Sequence, residues 1–191
     1  IYNPIKLEKY TKKRRKDYLL TVGRLENQKN ISGIIIAFKK IEKIFPSLKL
    51  IIIGSGQEGR RLKNLSRYLN ISNKVKFEKF KNPSKYYKIS KIFILNSFFE
   101  GLPNVLIEAL NYKLPVISAN CKSGPSEILA NGKYGFLTKV NDPKLLSKKI
   151  SYVLENYKLS KKKAIIGYKS LKRYDIKSQC FQYEKCLKKI I

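Results

Sequence analysis

The sequence predicts an α/β fold: a parallel sheet covered by helices on both faces. Three observations carry this. Short runs of continuously apolar, often β-branched residues recur, as in Tyr18-Leu19-Leu20-Thr21-Val22, Leu48 to Ile53 and Ile92 to Leu95; a strand buried on both faces reads that way. Stretches with helical apolar spacing alternate with these runs, the pattern of strands joined by crossover helices. Three strand ends carry polar or glycine-rich turns, Gly23-Arg24, Gly54-Ser55-Gly56 and Glu100-Gly101. Ligands of such sheets sit beyond the carboxyl ends of the strands, so these turns are expected to converge on one crevice.

The elements follow in order. Residues 1–16 are polar and basic and read as a linker. Tyr18 to Val22 is the first strand. Asn30 can cap a helix running to about Phe45, with Ile31, Ile34, Ile35, Phe38, Ile41 and Ile44 on its apolar side, and Pro46 stops it. Leu48 to Ile53 is a strand, Gln57 to Leu69 a helix, Val75 to Phe77 a short strand and Pro83 to Ser90 a short helix. The strand Ile92 to Leu95 leads into the turn Gly101-Leu102-Pro103-Asn104 and a helix from Val105 to Leu110. Pro115 to Ser118 is a strand, Pro125 to Ala130 a helical turn or more, and Gly135 to Leu137 an edge strand. Pro143 to Asn156 is a helix, as is most of 158–189. The organisation is thus a linker (1–16), a sheet domain (17–156) and C-terminal helices (157–191).

Composition narrows the classes. A chain of 191 residues that is 43% hydrophobic can bury a real core. No apolar run approaches the ~20 residues that span a bilayer. Cys121, Cys180 and Cys186 have no metal spacing and read as reduced thiols in a cytosolic protein. A chain without methionine that begins Ile1-Tyr2-Asn3-Pro4 reads as part of a larger protein. The net charge of +29 has two readings. One is a basic surface facing anionic lipid, nucleic acid or nucleotide phosphate. The other is coding bias, because Lys, Ile and Asn are abundant together. The runs Lys12 to Lys16 and Lys161 to Lys163 read as solvated surface. No nucleic-acid motif is present, and the 13 tyrosines are scattered.

The chemistry concentrates at strand ends. Arg24 offers a planar donor fork and Lys29 a point charge, a pair suited to a diphosphate; in so basic a chain, Lys29 reads equally as surface. Gly54-Ser55-Gly56 lets backbone approach a ligand, but the third glycine of a dinucleotide fingerprint is missing, Gly59 falling one residue late. Glu100 and Glu108 have seven residues between them. Retaining glycosidases hold two carboxylates about 5–5.5 Å apart, whereas eight helical residues rise ~12 Å. Two separate contacts on one extended ligand therefore fit better than a shared reaction centre. Glu108, early in a helix, would accept the two hydroxyls of a diol; a helix-start acid satisfying backbone N–H groups is the plainer alternative.

Several segments, in order, resemble the C-terminal, nucleotide-sugar-binding half of family 4 retaining glycosyltransferases of the GT-B fold. They are Val22-Gly23-Arg24-Leu25 with Gln28-Lys29-Asn30, Leu50 to Gly56, and Phe99-Glu100-Gly101-Leu102-Pro103-Asn104-Val105 with Glu108-Ala109. Leu114 to Ile117, Gly124-Pro125-Ser126-Glu127-Ile128 and Gly135-Phe136-Leu137 complete the set. The resemblance spans roughly residues 1–156 and implies a Rossmann-like domain that binds a nucleotide-sugar, preferably a UDP-sugar, for transfer with retention to a cell-envelope polysaccharide or lipid-linked acceptor. The transferred group would be a hexosyl or N-acetylhexosaminyl unit. Catalytic roles would fall to Arg24 and Lys29 on the diphosphate and to Glu100 on the sugar. Glu108 would bind the ribose. Gly23, Gly54 and the stretch Gly101, Leu102, Pro103, Asn104 and Val105 would complete the donor contacts, and Phe77, Glu78 and Phe80 would line the base. Lys79 departs from the glycine common there, which leaves base identity open.

The resemblance further implies no metal and no cofactor, the nucleotide-sugar being substrate. It implies an acceptor domain preceding this one, onto which the last helix crosses back, and donor binding without turnover by this chain alone. Asn3-Pro4 resembles the entry into the second domain. The expected location is the cytoplasm, with peripheral contact on the inner face of an anionic membrane. A non-enzymatic nucleic-acid-binding module is the competing class; in the glycosyltransferase reading, nucleic acid is no partner. A phosphorylase of the same fold would need a Schiff-base lysine, and no motif marks one.

Overall fold

A computed structural model describes Tyr2, Ile5 and residues 13–79 and 83–188. Six strands form one sheet: β1 (Tyr18–Val22), β2 (Lys49–Ile53), β3 (Val75–Glu78), β4 (Ile92–Leu95), β5 (Val116–Ala119) and β6 (Phe136–Thr138). All neighbours are parallel, and their order is β3-β2-β1-β4-β5-β6. Strand order thus runs outward in both directions from a reversal between β1 and β4. That reversal opens a crevice at the carboxyl ends of these two strands.

The continuous apolar runs are explained by burial on both faces. Leu19 and Leu20 point to opposite sides of the sheet, as adjacent strand residues must, and both are fully buried. On one face Leu19, Leu50, Ile52, Ile92 and Ile94 pack against α1 (Ile31–Ile41) and α6 (Pro143–Glu155). On the other, Leu20, Ile51, Ile53, Phe93 and Leu95 pack against α3 (Ser84–Ile89) and α4 (Asn104–Asn111). Each such side chain contributes about 1.5–3 kcal/mol on burial. The remaining helices are α2 (Gly59–Tyr68), α5 (Pro125–Ile128), α7 (Tyr157–Ser170) and α8 (Ile176–Leu187).

Several expected boundaries move. Asn30 does cap α1: it sits at φ 44°, and its Oδ1 accepts from the Gly33 N–H at 3.2 Å. The helix stops at Ile41, however, short of Phe45. The Ile41 carbonyl accepts from both Ile44 and Phe45, a tightened last turn that swings Phe45 onto the core and leaves Ile44 exposed. The span 158–189 is not one helix. A 3₁₀ turn at Leu171–Tyr174 interrupts it, because burying Leu171 and Tyr174 requires a change of direction. β6 is an edge strand, as expected.

The basic run before β1 is not all solvated. The Arg15 guanidinium donates to the carbonyls of Tyr87, Ser90 and Tyr112 at 3.0, 2.6 and 2.7 Å. It thereby joins the carboxyl end of α3 to that of α4. Tyr2 and Ile5 lie beside the last helix: the Tyr2 N–H donates to Gln179 Oε1 at 2.6 Å, and the Ile5 N–H donates to the Tyr174 carbonyl at 2.9 Å. Chain entry and exit are therefore neighbours. Asn3, Pro4 and Ile190 lie outside the described residues.

Candidate functional site

The crevice between β1 and β4 gathers the predicted residues. After β1 come Gly23 and Arg24, then a 3₁₀ turn, Asn27–Lys29, that leads into α1. After β4 come Asn96, Ser97 and the loop to Glu100. Hydrogen bonds stitch the two connections together. Phe98 N–H donates to the Gln28 carbonyl and Gln28 Nε2 to the Phe99 carbonyl, both at 2.9 Å. Asn96 Nδ2 donates to the Asn30 carbonyl at 3.3 Å. Lys29 and Glu100 are placed across the crevice by this lacing rather than by their own side chains.

The two then meet directly. Lys29 Nζ lies 2.7 Å from Glu100 Oε1, with only 15% and 7% of their side chains exposed. Ser97 Oγ donates to the same oxygen at 2.6 Å. Arg24, by contrast, is 67% exposed and pairs with Glu26 at 3.2 Å. The Lys29–Glu100 pair neutralises both charges and sets a cation at the crevice, where an anion could compete for it.

Gly54, Gly56 and Gly124 are forced by close approach to backbone; a Cβ on Gly56 would stand 2.5 Å from the Leu25 carbonyl oxygen. A Cβ on Gly54 would stand 1.8 Å from the Gly23 carbonyl oxygen, so β2 and β1 can end side by side only with glycine there. Gly124, at φ +84°, faces the Gly101 carbonyl in the same way, at 1.9 Å. Its neighbour Ser123 donates to the Glu100 carbonyl at 2.6 Å. The β5–α5 connection thus buttresses the Glu100 loop. Gly101 differs: a Cβ there would meet nothing within 4 Å. Nothing around it among the described residues demands glycine. The N–H groups of Gly101, Leu102 and Asn104 have no hydrogen-bond partner among the described residues.

Two joined clefts line this edge. One, about 390 Å³, is walled by Gly23, Arg24, Lys29, Gly54 and Ser55. The other, about 500 Å³, shares Gly54 and Ser55 and extends to Phe77, Glu78 and Lys79, with Arg60, Lys63 and Arg67 of α2 along its rim. Lys76 first, and then the Tyr86 hydroxyl (2.8 Å), hold the Glu78 carboxyl below the usual range.

Glu108 lies on α4 and has a different kind of partner. The Tyr87 hydroxyl donates to its Oε2 at 3.0 Å. Burial first, and then the Glu108 charge, push the Tyr87 phenol well above its ordinary value. Near Glu100, the buried Cys121 thiol is likewise pushed up, by burial and then by the Glu100 charge.

The structure therefore brings Gly23, Arg24, Lys29, Gly54, Glu100 and Gly101 to one crevice, with Phe77 and Glu78 along its extension. Asn104 is exposed at the start of α4. Leu102 and Val105 are half-buried against the core, and Pro103 is buried, so their contribution to a ligand would come through backbone. Phe80 lies outside the described residues. Glu100 and Glu108 have separate partners rather than a shared centre. The sequence by itself assigns no role to Gln28, Asn96, Ser97, Tyr87, Ser123 or Gly124. Ser97 and Gln28 flank the motif, and that nearness is a usable signal; Tyr87 has none.

The model of the family described as glycosyl transferases group 1 matches residues 3–170. An uncharacterised glycosyltransferase of Methanocaldococcus jannaschii is 42% identical over 134 residues, covering 63% of this chain and 33% of that protein. The N-acetylgalactosamine-N,N'-diacetylbacillosaminyl-diphospho-undecaprenol 4-alpha-N-acetylgalactosaminyltransferase of Campylobacter jejuni is 34% identical over 168 residues, covering 84% of this chain and 45% of that protein. The solved structure of an S. aureus TarM variant with Fondaparinux, alpha-GlcNAc-glycerol and UDP aligns at a TM-score of 0.90 and 21% identity, covering 97% of this chain and 38% of that one. The chain thus spans a third to under half the length of these proteins. Its sheet is that of the GT-B glycosyltransferases, and by the family match over residues 3–170 the chain belongs to the glycosyl transferases group 1.

Proposed function

We propose that this chain is the donor-binding half of a retaining glycosyltransferase that takes a UDP-activated hexose or N-acetylhexosamine. The observation that carries this is the meeting of Lys29 and Glu100 across the β1–β4 crevice at 2.7 Å, beside Arg24 and the joined clefts. The diphosphate would lie against Lys29, Arg24 and the unpaired N–H groups of the Gly101–Asn104 turn. Their positive potential stabilises the departing UDP without a metal. Glu100, released from Lys29, would accept from the sugar hydroxyls. Glu108 would accept the ribose diol, and the base would enter the cleft lined by Phe77 and Glu78. A UDP donor is supported by the UDP in the TarM structure. A lipid-linked or cell-envelope acceptor is supported by the name of the C. jejuni relative.

The acceptor would be held by a preceding domain. Adjacent entry and exit of the chain, and the exposed apolar residues Ile176, Phe181, Tyr183 and Leu187 on α8, support a last helix that crosses back to it. Among the described residues no helix is long and apolar enough to cross a membrane; contact with an anionic inner membrane surface is proposed from the charge of +29. Thermal-shift titration with UDP, GDP and ADP, then with UDP-sugars, tests the reading. UDP is expected to stabilise the chain most, and Glu108→Ala to weaken it. Equal response to all three nucleotides, or turnover by this chain alone, would count against it.

A further inference from the structure

We propose that Tyr87 is a positioning residue: its hydroxyl fixes the Glu108 carboxylate in the orientation that receives the ribose hydroxyls of the donor. The inference rests on the ribose role proposed for Glu108. Tyr87 is 1% exposed, stacked on Tyr112 (centroids 5.5 Å apart, planes at 9°) and packed on Phe93 at 5.6 Å. A ring so enclosed has one place for its hydroxyl, and that place is 3.0 Å from Glu108 Oε2. The phenol stays protonated, because burial and the facing carboxylate both oppose its ionisation, so toward the carboxylate it is the donor. A carboxylate offers about four acceptor sites; it can take the phenol and a diol together.

The backbone around this pair is also held. α3 has six residues, too few to be stable by itself. The Arg15 guanidinium binds the carbonyl of Tyr87 itself (3.0 Å), that of Ser90, and that of Tyr112 at the end of α4. One side chain from the segment before β1 therefore sets the spacing between the helix that carries the phenol and the helix that carries the acid. A cation on two helix carboxyl ends is also favourable for both dipoles. Flexible carboxylates lose rotamer freedom on binding; one already anchored has less to lose.

The test is calorimetric affinity of the 191-residue chain, its Tyr87→Phe and Glu108→Gln variants and the double variant for UDP and for 2′,3′-dideoxy-UDP. Tyr87→Phe is expected to weaken UDP roughly three- to tenfold and to leave the dideoxy nucleotide within twofold. The double variant should be no weaker than Glu108→Gln. Unchanged UDP affinity in Tyr87→Phe, or equal losses for both nucleotides, would overturn the positioning role. If Glu108→Gln weakens UDP and 2′,3′-dideoxy-UDP equally, or weakens neither, it is the ribose reading that falls. A measurement on the wild-type chain guards against misfolding of the variant: the buried, hydrogen-bonded Tyr87 hydroxyl proton, followed by NMR, should shift on adding UDP and not on adding 2′,3′-dideoxy-UDP. No shift with saturating UDP would overturn the inference.

Discussion

The two acids of the motif, Glu100 and Glu108, are one helix start apart in sequence and opposite in kind. Glu100 sits on a loop and is neutralised by a cation, Lys29, across the crevice. Glu108 sits on a helix and is held by a neutral, buried phenol. Under the proposed function a diphosphate would take the cation away, and the Glu100 side would exchange partners on binding. A phenol cannot follow an anion, so the Glu108 side would stay put. The proposed site would thus combine a contact that must be remade with a contact made in advance.

The comparison can be broken most strongly at Lys29. Lys29→Ala strands a carboxylate that is only 7% exposed, and removal of one partner from a buried pair costs about 3 kcal/mol or more. Urea unfolding should show that loss, and Lys29→Ala/Glu100→Gln should recover part of it. A double variant as unstable as Lys29→Ala would mean that the pair does not hold the loop.

Next comes the buttress under the Glu100 loop. Gly124→Ala meets the Gly101 carbonyl at φ +84° and should lose about 1–3 kcal/mol through backbone strain. Gly101→Ala meets nothing and should stay within about 0.5 kcal/mol while binding UDP-sugar more weakly. Thermal unfolding of both, with donor titration of the second, checks the contrast. Reversed stabilities would remove the contrast between a glycine fixed by packing and one in open space.

On the Glu108 side the effect should be of similar size. Tyr87→Phe removes one hydrogen bond to a charged group, about 1.5–3 kcal/mol at most, and urea unfolding at pH 7 measures it. The smallest effect is alkaline. The folded phenol is raised above its unfolded value near 10, so its contribution is complete below pH 10 and is lost as the pH rises past 10 toward the folded value. Between pH 8 and 10.5 the wild-type chain should lose about 0.8 kcal/mol more than Tyr87→Phe. Equal slopes would mean that Tyr87 ionises freely and is not enclosed.

Much of this was legible. The Glu100 and Glu108 positions, the glycine turn between them and the strand ends at Gly23 and Gly54 stand out because their residue types are unusual where they fall. What was not legible had an ordinary appearance. Tyr87 is one of two adjacent tyrosines in a short amphipathic helix. Arg15 sits in a run of five basic residues that reads as solvated surface. α1 looked longer because Ile44 keeps helical spacing, although the chain turns at Ile41 to pack Phe45 against the core. Lys29 looked like a cation waiting for phosphate, and spacing along the chain cannot show that Glu100 already occupies it.

By itself the sequence determined the layered α/β architecture and pointed to the strand ends that form the candidate site. Apolar periodicity dictates which segments must be buried on one face or two, and glycine, proline and asparagine dictate where the chain can turn. Only the tertiary structure decided which partner each polar group takes. The strand reversal between β1 and β4 brings residues 71 positions apart, Lys29 and Glu100, within 2.7 Å, and Arg15 reaches carbonyls 72 to 97 positions away. A hydrogen bond or an ion pair acts over about 3–4 Å, so its partner is chosen by where the fold places atoms, not by what the local sequence says.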